Sequence, residues 1–258
     1  MTSPLVQERR PLRPKKLIEL ALRRTPPLYR LASKVYHRIN GSFRTLSPGA
    51  PGAIAKAFEL IKERSPAGQV GDIGDYYEFG VFRGFTLLSA QRTCDALGLT
   101  ETRLWGFDSF QGLPPVEGID KGEGEFFEGQ FACGKDEVMA NLSGHGMDWS
   151  RAELIEGFFS DSLTDELKRS RPFRPAAVVV LDCDLYSSTQ EALAWIEDLL
   201  SPTTVLLFDD WHSFGGATDR GQPLAFRELL DRNPELRAEE GWEFANNGKT
   251  FVLHREGS

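Results

Sequence analysis

The residues best suited to chemistry in this sequence are three aspartates that follow two apolar runs. Asp182 comes directly after the run at 176–181, and Asp209 and Asp210 come directly after the run at 204–208. Apolar runs of this kind are typical of buried parallel strands, whose carboxyl ends meet at one edge of a sheet. We therefore expect the three carboxylates to converge. Three carboxylates with water suit a hard octahedral cation such as Mg²⁺.

A cation held in this way would lower the pKa of a bound alcohol and orient it for group transfer. Asp182, between the cation and the substrate, would then accept the proton. His212, two residues beyond Asp210, is a second catalytic candidate, as a base or a substrate contact. The alternative is that Asp184 caps a helix while the other acids are simply solvated. That alternative does not explain why an apolar strand should end in two adjacent acids.

A glycine turn with an acid before it provides a second candidate site. Glu78 is followed by Gly80 and Gly84 in the string EFGVFRG. The spacing is neither the dinucleotide fingerprint GxGxxG nor the phosphate loop GxxxxGK[ST]. Glycines let the backbone approach a ligand closely, and the acid suits a cationic ligand such as the methionyl part of S-adenosylmethionine. A plain strand-to-helix turn remains the alternative.

Residues that suit a nucleoside follow the next two predicted strands. Asp108 ends the second strand, where an acid can accept both hydroxyls of a ribose. Phe110 and Leu113 then follow and can pack on an adenine, with ordinary loop packing as the alternative. Gly157 and Phe158, after the third strand, can complete that pocket.

The elements that must position these residues alternate between strands and helices. This alternation predicts an α/β fold with a mostly parallel sheet. Asn246, Asn247 and Gly248 indicate a turn between two last strands, and so an antiparallel hairpin at the end. The predicted strands are 75–79, 103–107, one that includes 154–155, 176–181, 204–208, 242–244 and 250–253, and the predicted helices of this region are 86–97, 162–169, 189–200 and 223–231.

Composition separates a basic leader from an acidic body. Residues 1–50 carry eleven Lys and Arg against two acids, whereas the whole chain of 258 residues has a formal charge of −8. We predict a basic N-terminal arm with helices over 1–52 and a main domain over 53–258. The arm either docks onto the acidic body, a partner chain or an anionic substrate, or is a solvated leader. Helical spacing marks 15–24, 28–39 and 53–64. The Gly-rich, acidic segment 114–150 is too long for a simple loop and is predicted to be an insertion or lid.

Composition also excludes several classes of protein. The three cysteines, Cys94, Cys133 and Cys183, are few and widely spaced, so neither a disulfide framework nor a zinc site is expected. No apolar run is long enough to span a bilayer, and no signal peptide is evident, so we expect a cytoplasmic protein without a membrane partner. The acidic charge argues against nucleic-acid binding.

Four strings occur in order along the chain: YYEFGVFRG, LWGFDSFQGLPP, VVLDCDLYSST and LLFDDW. Together they resemble the TylF-like macrocin O-methyltransferase family over residues 76–211. The resemblance implies the class I methyltransferase fold, which is Rossmann-like, with a mostly parallel seven-stranded sheet, an antiparallel C-terminal hairpin and helices on both faces. It also implies methyl transfer from S-adenosylmethionine, with magnesium, to a sugar hydroxyl of an antibiotic or related natural product.

Site residues follow from the same resemblance. It implies that Asp182 is both a metal ligand and the base, that Asp209 and Asp210 are the other ligands, and that Asp184 is structural. Glu78 and Gly80 would line the methionyl site, and Asp108 and Ser109 would hold the ribose. The full set of cofactor-binding candidates is Glu78, Gly80, Val81, Arg83, Gly84, Thr86, Asp108, Ser109, Phe110, Gly112, Gly157, Phe158 and Asp182.

The expected partner is a small-molecule acceptor, a glycosylated natural product, and a homo-oligomer is expected as well. The resemblance also implies that the N-terminal helices within 1–52 serve as a lid or an oligomer contact. The segments 117–150 and 211–216 depart from the family pattern, and these segments should shape the acceptor pocket. Two alternatives stay open: the same chemistry on a catechol-like or other hydroxyl, and an inactive protein that binds S-adenosylmethionine. A nicotinamide-linked oxidoreductase is disfavoured by the glycine spacing.

Overall fold

The computed structural model describes residues 47–65, 73–122 and 126–255, with isolated positions between 25 and 43. The helix expected over 15–24 lies outside the described residues. Of the stretch expected over 28–39, only residues 28, 29, 31, 32 and 35 are described, and all are helical.

One mixed sheet of seven strands runs through the described part of the chain. Its order is β3-β2-β1-β4-β5-β7-β6. The first five strands in this order pair in parallel, and β7 pairs antiparallel with both β5 and β6. The predicted sheet and its C-terminal hairpin are thus confirmed. The strands are β1 (Asp75–Phe79), β2 (Leu104–Asp108), β3 (Ala152–Glu156), β4 (Ala176–Leu181), β5 (Leu200–Phe208), β6 (Leu236–Phe244) and β7 (Gly248–Arg255).

Helices pack against both faces of this sheet. They are α1 (Ala50–Arg64), α2 (Phe85–Leu97), α3 (Lys135–Gly144), α4 (Phe159–Ser162), α5 (Asp165–Ser170), α6 (Tyr186–Ile196) and α7 (Gly221–Arg232). Three short 3-10 turns lie at Gly118–Asp120, Glu197–Leu199 and Phe214–Gly216. None of the helices that the structure describes combines the length and the apolarity that a bilayer span requires.

Two apolar clusters, one on each face, hold the helices to the sheet. Tyr76 of β1 lies in the cluster that includes Phe58 of α1, whereas its neighbour Tyr77 lies in the cluster that includes Leu193 of α6. Successive residues of a strand point to opposite faces, so a strand buried on both sides is apolar or aromatic throughout. This is why the central strands appear in the sequence as continuous apolar runs rather than as alternating patterns.

Several predicted helix boundaries were wrong. Helix α1 begins at Ala50 rather than at 53, because Pro51 fits the first turn of a helix, where its missing N–H costs nothing. The boundary expected after residue 52 therefore falls inside α1. Between β4 and β5, the helix ends at Ile196, and residue 200 already belongs to β5.

The segment 114–150 is attached to the body of the molecule. It contains the turn Gly118–Asp120 and helix α3. Val138 and Leu142 of α3 are fully buried in the same cluster as Phe58. The segment thus contributes to the hydrophobic core of the molecule.

Candidate functional site

A cavity of about 290 Å³ opens at the carboxyl edge of the parallel strands. This is the edge at which ligands bind in open α/β sheets. Residues from the ends of β1 to β5 line it. Among them are most of the residues expected from the sequence: Gly80, Val81, Arg83, Thr86, Asp108, Ser109, Gly112, Gly157, Phe158, Asp182, Asp209 and Asp210.

Gly80 brings the ends of β1 and β4 into contact. Its φ is 94°, and a Cβ there would lie 1.8 Å from the carbonyl oxygen of Asp182. No residue with a side chain fits at such a distance, and glycine adopts this φ without strain. The Asp182 N–H in turn donates to the Phe79 carbonyl at 2.9 Å. The glycine turn and the aspartate at the end of β4 therefore form one wall of the cavity.

Asp108 is held by backbone amides of the neighbouring turns. Its Oδ2 accepts hydrogen bonds from the N–H groups of Val81 at 2.8 Å and Phe82 at 2.9 Å. Its Oδ1 accepts one from the Phe110 N–H at 2.6 Å. A carboxylate oxygen has two lone pairs, so only Oδ1 can take a further donor. The expectation that Asp108 accepts both hydroxyls of a ribose therefore exceeds its remaining capacity, which is one hydrogen bond.

Burial raises the pKa of Asp108, and the three amides that donate to it act in the opposite direction. The loop that follows is braced by Ser109, whose hydroxyl donates to the Gly112 carbonyl at 2.7 Å and accepts from the Gln111 N–H at 3.0 Å. Asp108 and Ser109, the residues expected to hold a ribose, are thus kept in place by local hydrogen bonds.

Asp182, Asp209 and Asp210 converge as expected. One carboxylate oxygen from each lies within 4.8 Å of those of the others, and all three residues are half-buried. Burial, followed by the nearby charges of Asp209 and Asp210, raises the pKa of Asp182 well above its ordinary value. Such crowding of carboxylates is unfavourable unless a cation neutralises it. The all-oxygen donor set fits Mg²⁺ or Mn²⁺ and lacks the thiolates and imidazoles that zinc prefers.

Three residues that the sequence did not reveal hold this cluster in place. The Ser213 hydroxyl donates to Asp210 Oδ1 at 3.1 Å. Gln222, fully buried at the start of α7, accepts from the Asp210 N–H at 3.0 Å and donates to the Leu181 carbonyl at 3.0 Å, so it joins the ends of β4 and β5. The Ser47 hydroxyl donates to Asp209. No local motif marks these residues, because each acts through a contact that only the fold creates.

Asp120 caps the helix that follows Asp182. Its carboxylate accepts hydrogen bonds from the N–H groups of Tyr186 at 2.6 Å and Ser187 at 3.3 Å, at the start of α6. Leu185, at the N-cap position itself, offers no side-chain hydrogen bond. The capping role considered for Asp184 is thus filled by Asp120, which lies 66 positions before Tyr186. Asp184 instead adopts a φ of 64° and lines the cavity.

Glu78 lies beneath the cavity and does not line it. Its carboxylate accepts hydrogen bonds from the Tyr76 hydroxyl and, at 2.6 Å, from the Thr86 hydroxyl. Burial is the largest effect on its pKa and raises it to about 7, and both hydrogen bonds act against that rise. Thr86, which donates to Glu78, does line the cavity. An effect of Glu78 on a bound ligand would therefore be transmitted through the Thr86 side chain.

Three other predicted site residues are not brought to the cavity. The side chain of Phe110 turns into the core and joins the cluster of Val138 and Leu142. The side of Gly84 on which a Cβ would sit is filled by Leu142. His212 is 39% exposed, with Nε2 3.3 Å from Glu243 Oε1, outside the residues that line the cavity. A catalytic role for His212 therefore has no support in the geometry.

Arg83 provides positive charge at the rim. Its side chain is only 7% exposed, and it forms an ion pair with Glu137 of α3 at 2.5 Å. Its Nε has no hydrogen-bond partner among the described residues. A second cavity, of about 510 Å³, adjoins the first and shares with it Arg83, Leu113, Pro115, Phe131 and Phe158. The buried guanidinium thus lines both cavities.

The strand order and the cavity at the carboxyl edge define the class I methyltransferase fold. The structure of the O-methyltransferase NovP matches with a TM-score of 0.62 and 22% identity, over 80% of this chain and 79% of that one. A crystal structure of the calicheamicin methyltransferase CalS11 matches with a TM-score of 0.64 and 20% identity, over the full length of both chains. At these identities the likeness concerns the fold.

Residues 63–228 match the family model described as Macrocin-O-methyltransferase (TylF), and the chain belongs to that family. A rhamnosyl-tetracenomycin-C 4′-O-methyltransferase of Streptomyces olivaceus is 33% identical over 54% of this chain and 53% of its own. The mycinamicin III 3″-O-methyltransferase of Micromonospora griseorubida is 28% identical over 54% and 55%. The chain thus spans about half the length of the curated relatives it matches. The family expected from the four sequence strings is confirmed.

Proposed function

We propose that this protein is an O-methyltransferase that uses S-adenosylmethionine and Mg²⁺ to methylate a sugar hydroxyl of a secondary metabolite. The observation that carries the proposal is the cluster of Asp182, Asp209 and Asp210, which has the donor set of a divalent-cation site and lies beside the glycine turn. Membership of the Macrocin-O-methyltransferase (TylF) family supports the reaction type.

The residues of β1 to β3 suit the cofactor. Gly80 and Thr86 both line the cavity, and Gly80 lies against the Asp182 carbonyl, where a methionyl group would need close backbone approach. Arg83, with a donor to spare, suits a carboxylate. Asp108 retains one acceptor site for a ribose hydroxyl, and Phe158, which lines the cavity beyond β3, offers an aromatic surface on which an adenine would pack.

When bound, S-adenosylmethionine supplies the methyl group and Mg²⁺ lowers the pKa of the acceptor hydroxyl. Asp182 is the residue suited to receive the hydroxyl proton, because it belongs both to the aspartate cluster and to the wall that Gly80 forms. In this scheme Asp209 and Asp210 would bind the cation and would not accept the proton. No other base is needed, which agrees with the position of His212 outside the cavity.

A sugar hydroxyl is favoured over a catechol by the names of the relatives. The Streptomyces olivaceus protein is named for a rhamnosyl 4′-hydroxyl and the Micromonospora protein for a 3″-hydroxyl. A catechol-like acceptor remains the second candidate, because two adjacent hydroxyls of either kind can chelate one cation. An inactive cofactor-binding protein is disfavoured, because all three aspartates are present and converge.

Calorimetric titration tests the proposal. The purified chain would be titrated with S-adenosylmethionine and S-adenosylhomocysteine, with and without Mg²⁺. We expect micromolar binding of both by the wild-type chain and by Asp182→Asn. With an acceptor in hand, Asp182→Asn should lose at least a hundredfold in turnover while binding the cofactor normally. Absence of cofactor binding under every condition would remove the proposal, and normal turnover by Asp182→Asn would remove the assigned base.

A further inference from the structure

Ser47 connects the segment before α1 to the aspartate cluster. Its Oγ donates to Asp209 Oδ1 at 2.5 Å, across 162 positions of sequence. The residue is only 7% exposed and lines the same cavity as the three aspartates. Ser47 is thus placed, like Ser213 on Asp210, to act on one ligand of the candidate cation site.

The position of Ser47 is fixed from two sides. Its carbonyl accepts from the Ala50 N–H at 3.1 Å, at the start of α1, and the inner face of α1 is buried in the core. Gly49 touches the β6–β7 turn, since a Cβ there would lie 2.4 Å from the backbone nitrogen of Ala245. The hydroxyl is therefore presented to Asp209 by a packed helix and a packed turn.

A fixed hydrogen-bond donor of this kind limits the orientations that a carboxylate can adopt. A carboxylate beside a cation must keep one orientation, and hydrogen bonds from outside the coordination sphere supply that orientation. Asp209 is half-buried, so a water could replace the lost donor, but a water is not fixed to the protein and would not hold the carboxylate in one orientation. Removing the Ser47 hydroxyl would leave Asp209 in place but free to turn away.

We propose that Ser47 is a positioning residue for the divalent cation and acts through Asp209. This inference rests on the proposed function, which requires the cation. It extends the site to the segment before α1, which sequence patterns assign to a separate arm. The ligand concerned is a hard divalent cation, for which Mn²⁺ is a suitable probe because it takes the same oxygen donors as Mg²⁺.

The test measures Mn²⁺ binding to the full chain by electron paramagnetic resonance, without cofactor or acceptor. We expect Ser47→Ala to weaken Mn²⁺ binding about tenfold. Ser47→Thr keeps the hydroxyl and should bind within about threefold of wild type. Ser65→Ala is the matched control, because Ser65 donates to the Ile61 carbonyl at the far end of the same helix. Its Mn²⁺ affinity should equal that of wild type.

Each outcome is decisive. If wild type binds Mn²⁺ and Ser47→Ala binds it equally well, the inference is overturned while the proposed function stands. If Ser65→Ala loses as much as Ser47→Ala, the effect belongs to the stability of α1 and the inference is again overturned. If wild type does not bind Mn²⁺, the metal dependence of the proposed function fails first. Thermal unfolding of each variant without metal identifies any variant that does not fold, and Ser47→Thr then decides.

Discussion

At the scale of single residues, Glu78 is a buried acid whose protonation changes near neutral pH. Its carboxyl lies below the cavity, between the hydroxyls of Tyr76 and Thr86. Burial raises its pKa from 4.5 to about 7. The folded chain therefore holds a proton there that the unfolded chain releases at lower pH. Folding stability must then depend on pH through this group.

We predict that Glu78→Gln changes the pH profile of stability. Between pH 4.5 and about 7 the unfolded state binds fewer protons at Glu78 than the folded state does, so the wild-type free energy of unfolding falls as pH rises. A shift of this size corresponds to a decline on the order of 3 kcal/mol. Denaturant titrations from pH 5 to 8 should show a smaller decline for Glu78→Gln. Parallel profiles for the two proteins would contradict the prediction.

The convergence of the three aspartates was easier to predict from the sequence than the residues that hydrogen-bond to them. Asp182, Asp209 and Asp210 were predictable because an apolar strand that ends in acids leaves a strong local pattern. Phe110 was expected to pack on the adenine, but its side chain lies in the core. Its backbone has a φ of 56°, and the neighbouring residues give no sequence signal for that conformation. Ser47 and Asp209 lie 162 positions apart and come into contact only in the folded chain. No local sequence pattern could therefore predict this hydrogen bond.

At the scale of secondary structure, α6 depends on a cap from another element. The turn Gly118–Asp120 supplies the carboxylate that satisfies two N–H groups at the start of α6. The first N–H groups of a helix have no partner within the helix, so such a cap is stabilising. Ser187 and Ser188 of the same helix line the cavity, which makes the cap relevant to the site as well as to stability.

We predict that Asp120→Ala lowers the free energy of unfolding by about 1 kcal/mol, the usual cost of a lost cap. The amides of Tyr186 and Ser187 should exchange with solvent faster in this variant. Thr164→Ala is the matched control, because Thr164 accepts from the Leu167 N–H at the start of α5. That control should lose comparable stability and leave exchange at Tyr186 unchanged. Unaltered exchange at Tyr186 in Asp120→Ala would show that the cap does not hold α6.

Strands β1 and β4 were predicted with their observed bounds, whereas β6, expected at 242–244, begins at Leu236, and several helix ends were displaced. The strand 176–181 is apolar throughout because both faces are buried, and its limits follow from composition alone. The start of α6 at Tyr186 was missed because its cap comes from Asp120 rather than from an adjacent residue. The expected helix over 162–169 is divided into α4 and α5, since Thr164 adopts an extended conformation and caps α5.

At the scale of the whole molecule, the site lies across five strands and two packed faces. The residues suited to the cofactor follow β1, β2 and β3, and the aspartates follow β4 and β5. A cation bound by the three aspartates would therefore join the ends of β4 and β5, which separate on unfolding. A ligand that binds only the folded state stabilises the whole domain by mass action.

We predict that Mg²⁺ raises the unfolding temperature of the chain. At a concentration about 100 times its dissociation constant the gain is about 2.7 kcal/mol, or roughly 5–10 °C for a domain of this size. Excess EDTA should reverse the shift. The double variant Asp209→Asn, Asp210→Asn should show none, because two of the three carboxylates are gone. An unfolding temperature of the wild-type chain that does not change when Mg²⁺ is added would contradict the prediction.

The contact between Asp120 and α6 also constrains how the segment 114–150 can be exchanged between relatives. That segment borders the cavity, so transplanting it is a natural way to redesign acceptor choice. A graft without an acid at position 120 would leave two amides at the start of α6 without their partner. A library of chimaeras should therefore keep Asp120 constant and vary its neighbours, so that altered specificity is not confounded with a loosened helix.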